Sequence, residues 1–313
     1  MKENSFDIPV LLVTFNRPTC TAQVLEKIVQ LKPKKLYVFS DAARAGKKDE
    51  LSAVNQCRSL FNSEHITWDC EIKTWFADAN IGCGRAVSSA ISWMFETEEC
   101  GIILEDDCLP HLSFFEYCDT MLKKYADTPE VMHIAGTRWN DEFKKVDDNY
   151  FFSRIGHVWG WATWKRAWKL FDYNMSTWNR ANDRKTIYKQ LNSVIQTQFW
   201  IDNFQRMFDK GMNNKNVWDY QWQYAMFMHK GLSVVPYANL ISNIGIEGTH
   251  ASLDNKDQGV FNRQTIRWNQ DAKLVNQVKA NHDYDNYHIV NFFMKANNPV
   301  IKLKWFIKAC LAS

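Results

Sequence analysis

The chain lacks any run of about 18 apolar residues, so no segment reads as a membrane-spanning helix. No charged-then-apolar leader opens it, which sets the expectation of a cytoplasmic protein without a cleaved secretion signal. The eight cysteines (Cys20, Cys57, Cys70, Cys83, Cys100, Cys108, Cys118 and Cys310) contain no CxxC pair and no zinc-like spacing. A chain of 313 residues needs no disulfide framework, so reduced thiols in a cytosol are expected. A net charge of +3 is too small to argue for a nucleic-acid partner. Internal repeats, low-complexity linkers, a P-loop and a dinucleotide fingerprint are also missing. What the chain has in surplus is aromatic rings: 14 Trp, 20 Phe and 11 Tyr. Such a surplus either fills core volume or builds stacking platforms for flat rings and sugar faces.

Strand and helix signals alternate over the first 110 residues. Strand runs at 8–15, 35–40, 70–76 and 101–104, the first and last reading as buried, are separated by helical patterns: one carrying Val24, Leu25, Ile28 and Leu31, then 51–61 and 84–95. Pro33 ends the first helix, and the polar stretch 42–50 reads as a loop. This order predicts an α/β fold, Rossmann-like, with a mainly parallel central sheet flanked by helices. Beyond it, a helix over 111–125 and a strand near 131–135 precede a tryptophan-dense region, 138–180, that reads as irregular. Helical stretches over 184–210 and 219–230, a strand at 232–235 and a polar loop at 245–258 complete the pattern. We expect one domain over 1–260, with a nucleotide half (1–110) and an acceptor half (111–260), and a helical, aromatic-rich extension over 261–313.

Three acids, Glu105, Asp106 and Asp107, directly follow the apolar run Ile102–Leu104. Ligands of open α/β sheets bind outside the carboxyl ends of the strands. Clustered carboxylates there repel one another and stabilise a fold poorly, but they suit a hard divalent cation that bridges phosphates. The other reading is a solvated turn. Asn16 and Arg17 follow the first strand and Asp41 the second, so all three share one edge with the acids. Each alone would pass for a turn or helix cap. The GxGR stretch 82–85 opens a helix, and Arg85 with its backbone N–H groups could face a diphosphate. Asp219 lies between Trp218 and Trp222, an apolar setting that can raise a carboxyl toward a useful base, although a helix cap is the alternative. His250 sits in the polar loop after the last strand, either touching a metal or diphosphate or simply exposed. Trp159, Gly160 and Trp161 either shape a sugar pocket or fill the core.

These stretches together (Asn16-Arg17-Pro18 after the first strand, then VFSDAAR, then ILEDDCLPHLSFFEYC) resemble the inverting GT-A glycosyltransferases. The nearest likeness is to the N-acetylglucosaminyltransferase I type and bacterial nucleotide-diphospho-sugar transferases, over roughly residues 8–255. WGWATWKRAW (159–168) and WDYQW (218–222) are similar to that family's acceptor-side loops. The resemblance implies Asp107 as direct ligand of Mn2+ or Mg2+, Asp106 at the ribose, Glu105 in the sugar site and Asp41 at the base. It implies Asp219 as the general base, with one departure: Tyr220 stands where the family pattern has a second adjacent aspartate. It further implies a nucleotide-sugar donor, UDP by resemblance, and a glycan or lipid-linked glycan acceptor. The tail 298–313 sets Lys302, Lys304 and Lys308 among apolar residues, which suits a packed terminal helix or peripheral contact with an anionic membrane. Two other functions remain open at this point: sugar-nucleotide nucleotidyltransfer, and carbohydrate binding without catalysis. Nucleotidyltransfer normally uses a glycine- and lysine-rich loop after the first strand, and 14–22, TFNRPTCTA, has none.

Overall fold

A computed structural model describes residues 6–141, 143, 149–211, 216–246, 259–269, 275, 277–294, 303, 305 and 307. Its centre is an eight-stranded sheet assembled from both halves of the chain. The first half supplies β1 (Val10–Thr14), α1 (Pro18–Leu31), β2 (Lys35–Ser40), α2 (Lys48–Ser59), β3 (Glu71–Phe76), α3 (Cys83–Thr97) and β4 (Cys100–Glu105). The expected four strands are all present, and the expected 42–50 loop already turns helical at Lys48. After β5 (Cys108–Pro110) and α4 (Ser113–Lys124) come β6 (Val131–Ala135), β7 (Tyr150–Ser153), β8 (Trp161–Trp164) and α5 (Lys165–Trp168). Then come α6 (Arg180–Leu191), α7 (Val194–Lys210), α8 (Asp219–Met228), β9 (Leu232–Pro236), β10 (Ile241–Asn243) and α9 (His282–His288), which runs into a π-helical turn, Ile289–Phe293.

The strand order is β3-β2-β1-β4-β8-β6-β9-β7, with β10 and β5 forming a separate antiparallel pair. From β3 to β4 the strands are parallel, and β6 and β9 keep that direction. Only β8 and β7 run against it. Period-two alternation gives the sheet two apolar faces. Val10, Leu12, Leu36, Val38, Ile102 and Leu104 pack with α1 and α4, while Leu11, Val13, Tyr37, Phe39 and Ile103 pack with α3 and α8. A third, largely helical core gathers Ile187, Phe199, Trp200, Phe204 and Phe227 against Ile289 and Met294, so the described end of the chain packs onto the main body. Trp268 and Ala280 do the same on the α1 and α4 face.

Two expectations about the second half change. The region 138–180 is not irregular throughout, because it contains β7, β8 and α5. β8 sits mid-sheet, covered on both faces, so it shows no polar alternation to betray it. The single helical stretch 184–210 is two helices, broken where Asn192 adopts a left-handed φ of 50°. No described helix is long and apolar enough to cross a membrane. Most of the tail 298–313 lies outside the described residues. Of those within it, Trp305 meets Phe199 edge-on at 5.5 Å between ring centroids, and Leu303 and Ile307 are exposed.

Candidate active site

β1 and β4 are adjacent and parallel, so their carboxyl ends open side by side. Asn16 and Arg17 leave the first, and Glu105 to Asp107 leave the second. α8 brings Asp219 to the same place as its first helical residue, with Trp218 in the cap position. These elements line a cleft of about 670 Å³ that contains Asn16, Arg17, Glu105, Asp107 and Asp219. Trp218 and Trp222 are buried and meet Trp161 at ring distances of 5.8 and 5.7 Å, so the residue before Asp219 and the helix it opens are anchored in the core.

The electrostatics centre on Arg17. One guanidinium nitrogen bonds Asp107 Oδ2 at 2.7 Å and the other bonds Asp106 Oδ1. Desolvation pulls Arg17 down, but the two aspartates outweigh it and hold the guanidinium above its ordinary value. Glu105 has no hydrogen-bond partner for its carboxylate among the described residues. Burial, then the neighbouring Asp107 and Asp106, push its carboxyl up, against the opposing pull of Arg17. Asp219 is open to water by surface area, yet the cleft walls crowd it. That crowding raises its carboxyl, while backbone N–H groups of Tyr220, Asp219 and Trp218 draw it back. The half-buried Cys83 thiol, also in the cleft, is driven upward by desolvation and then by Glu105, Asp219 and Asp107, so it marks where the acids converge.

Four expected site residues point elsewhere. Asp41 is buried, and its carboxylate accepts from the backbone N–H groups of Ala42 (2.9 Å), Ile81 (3.1 Å) and Gly82 (3.2 Å) and from Asn80 Nδ2 (3.0 Å). It clamps the loop before α3, leaving no free acceptor edge for a base. Asp106 is 2% exposed and is consumed by Arg17 and the Phe15 N–H at 3.1 Å, so it does not extend to a ribose. Arg85 lies over the Tyr173 ring at 5.3 Å, in a separate groove of about 820 Å³ with Trp75 and Trp93. Trp161 is fully buried in β8, stacked on His133 at 4.7 Å, because the strand turns its indole into the core rather than the cleft. The GxGR stretch serves packing: a Cβ on Gly84 would come within 2.7 Å of the Val217 backbone nitrogen. His250 lies outside the described residues.

The cleft also holds residues that the sequence did not single out, among them Trp139, His157, Asn243 and Gly245. Their partners are distant in the chain, and no local pattern marks them. Gly245 carries a specific steric demand. A Cβ there would lie 2.5 Å from Arg17 Nη1 and 2.9 Å from Asp107 Cβ. Gly245→Ala is therefore expected to force the Arg17–Asp107 pair apart at a cost of about 1–3 kcal/mol. Urea unfolding reads this as a lower midpoint at constant slope. An unchanged midpoint would contradict the close approach.

A metal site built from protein alone is not present: no group of three or more His, Cys, Asp or Glu among the described residues is placed to hold an ion. The donor set fits a hard cation of the kind that takes one or two carboxylates and completes its shell with substrate phosphates. Among the described residues Glu105 has no hydrogen-bond partner for its carboxylate, and Asp107 Oδ1 faces only the Cys108 thiol at 3.5 Å.

No protein-family model and no curated protein matches the chain. Among solved structures it is similar to UDP-glucose pyrophosphorylase complexed with UDP-glucose, at 9% identity and a TM-score of 0.31, covering 52% of this chain and 78% of that one. The apo form of the enzyme gives the same values. A mycobacterial protein matches at 9% identity and a TM-score of 0.28, covering 53% of this chain and 54% of that one. A likeness this slight carries no argument about the reaction or its ligand. The chain is a mixed α/β protein whose mostly parallel sheet is flanked by helices and followed by a helical, aromatic-rich region.

Proposed function

We propose that the chain is an inverting glycosyltransferase acting on a nucleoside-diphosphate sugar, with UDP as the nucleotide and a hydroxyl as the acceptor. The observation that carries this reading is the meeting of Arg17, Glu105, Asp107 and Asp219 in one cleft at the carboxyl ends of β1 and β4. Such an edge is where open α/β sheets take nucleotides. Asp219 is carried by α8, whereas Glu105 and Asp107 leave the end of β4, so in this reading it serves the acceptor while the others serve the diphosphate.

In this reading Asp219 accepts the proton of the acceptor hydroxyl as its oxygen bonds to the anomeric carbon. The bond from that carbon to the diphosphate breaks on the opposite side, and its electron pair leaves on the diphosphate oxygen. Configuration at the anomeric carbon inverts. Arg17 supplies fixed positive charge beside the leaving group, and Asn16, its neighbour in the chain, lines the same cleft. Asp107, with Glu105 beside it, would hold a Mn2+ or Mg2+ ion, which when bound stabilises charge on the departing diphosphate.

The test is a panel of UDP-sugars with manganese, scored for release of UDP with and without added glycans. Asp107→Ala is expected to lower that release by about 10²-fold or more. Turnover near that of the unmodified protein would reject Asp107 as the ion ligand. Release of UTP on adding pyrophosphate would instead identify a nucleotidyltransferase. Binding of UDP-sugar without any product would identify a non-catalytic carbohydrate-binding protein.

A further inference from the structure

Besides the acids, the cleft is lined by a contiguous wall of rings: Trp139, His157, Trp159, Phe261, Phe292 and Phe293. Trp139 contacts Trp159 at 5.2 Å and Phe292 at 4.6 Å, and Trp159 stacks on Phe261 at 6.1 Å between centroids. Trp159, Phe261 and Phe292 are only half-buried. The nearby guanidinium of Arg263 is already committed to Asp141 and to the Arg138 carbonyl while lying over Trp139 at 4.8 Å. Among the described residues, a second diphosphate would find no free charge on this wall.

One polar group stands among the rings with its proton placed. Asn140 Nδ2 donates to His288 Nδ1 at 2.7 Å. His288 therefore carries its proton on Nε2 and donates it to His157 Nε2 at 2.6 Å. His157 must then be protonated on Nδ1, an atom with no protein partner among the described residues, on a side chain that lines the cleft. The loop is tied down from below: His133 Nε2 donates to the His157 carbonyl at 3.0 Å and its Nδ1 accepts from Trp222 Nε1 at 3.1 Å. The Trp139 indole N–H is buried without a hydrogen-bond partner among the described residues, a second unused donor on the same wall. Burial keeps His157 and His288 well below the ordinary imidazole range, so both rings stay neutral and the order of donors holds.

We infer that this wall is a subsite for a pyranose ring of the acceptor, its apolar face against Trp159 and a hydroxyl accepting from His157 Nδ1–H. Sugar rings present an apolar C–H face and a rim of hydroxyls, which an aromatic plate with an edge donor matches. The assignment rests on the transferase reading for the word acceptor, but the binding site stands on its own geometry. Asn140 and His288 are positioning residues that set which nitrogen of His157 donates.

Two measurements decide it. Saturation-transfer NMR with methyl pyranosides of the gluco, galacto, manno and 2-acetamido series is expected to show binding, with UDP binding measured separately. Trp159→Ala and, independently, Phe261→Ala are expected to weaken pyranoside binding about tenfold or more while leaving UDP binding unchanged. UDP binding with no pyranoside bound, or pyranoside binding indifferent to both variants, overturns the subsite. Pyranoside binding without UDP binding leaves the subsite and removes the transferase reading. Nitrogen-15 spectra of the histidines are expected to show His157 protonated on Nδ1, and Asn140→Asp, which offers His288 an acceptor, is expected to reverse this and weaken pyranoside binding. A His157 protonated on Nε2 in the unmodified protein overturns the donor assignment whatever the variants do.

Discussion

Asp219→Asn is expected to lower transfer by about 10²–10⁴-fold while UDP binding and folding stability stay as they were. The substitution keeps the volume and shape of the side chain. It removes a carboxylate whose charge is favoured by the helix N-terminus, worth about 0.3–1 kcal/mol, but disfavoured by the crowded cleft. These two effects oppose each other, so the unfolding midpoint should barely move. A structural role for Asp219 predicts the reverse pattern, with a lowered midpoint and a proportionate loss of activity. Steady-state assays alongside urea unfolding separate the two. Activity within a few-fold of the unmodified protein would remove Asp219 as the base.

The largest stability effect is expected at Arg17. Its guanidinium ties Asp106, whose side chain is 3% exposed, to Asp107, at 13%. Arg17→Leu would leave a buried aspartate without its counter-ion beside two like charges. Breaking one side of a buried pair costs about 3–5 kcal/mol, chiefly through the charge left behind. A screened surface pair would cost about 0–1 kcal/mol, so the magnitude alone discriminates. Adding Asp106→Asn to Arg17→Leu is expected to recover more than half of the loss, because the stranded charge is then gone. A double variant no more stable than Arg17→Leu would show that the guanidinium acts through packing rather than charge.

The acids of the site were legible because Ile102–Leu104 is an apolar run with nowhere to go but a buried strand, which places Glu105, Asp106 and Asp107 at its carboxyl end. Asp219 drew notice through Trp218 and Trp222, and it lines the same cleft as Glu105 and Asp107. Asp41 misled because a carboxylate after a strand looks the same whether it faces a ligand or the backbone of a loop forty residues on. Its partners, Ile81 and Gly82, are chosen by how that loop folds back. The Arg17 pair, 89 and 90 residues across the chain, and the His157–His288 contact, 131 residues across, are likewise products of the tertiary fold. Tryptophans gave the weakest guidance. Trp159 and Trp161 are two residues apart, yet one lines the cleft and the other stacks in the core, and only the start of β8 at Trp161 separates them.

The place of β8 also governs the order in which the chain can be assembled. It is the sole strand joining β4 to β6, and it is made after both. Until residue 164 has been synthesised, β4 presents an unpaired edge beside apolar faces that α1, α3 and α4 cover only in part. Open edges of that kind invite pairing with other chains. A nascent protein halted before Trp161 would therefore hold the four parallel strands and all three strand-end acids, yet lack the strand that closes the gap in its sheet.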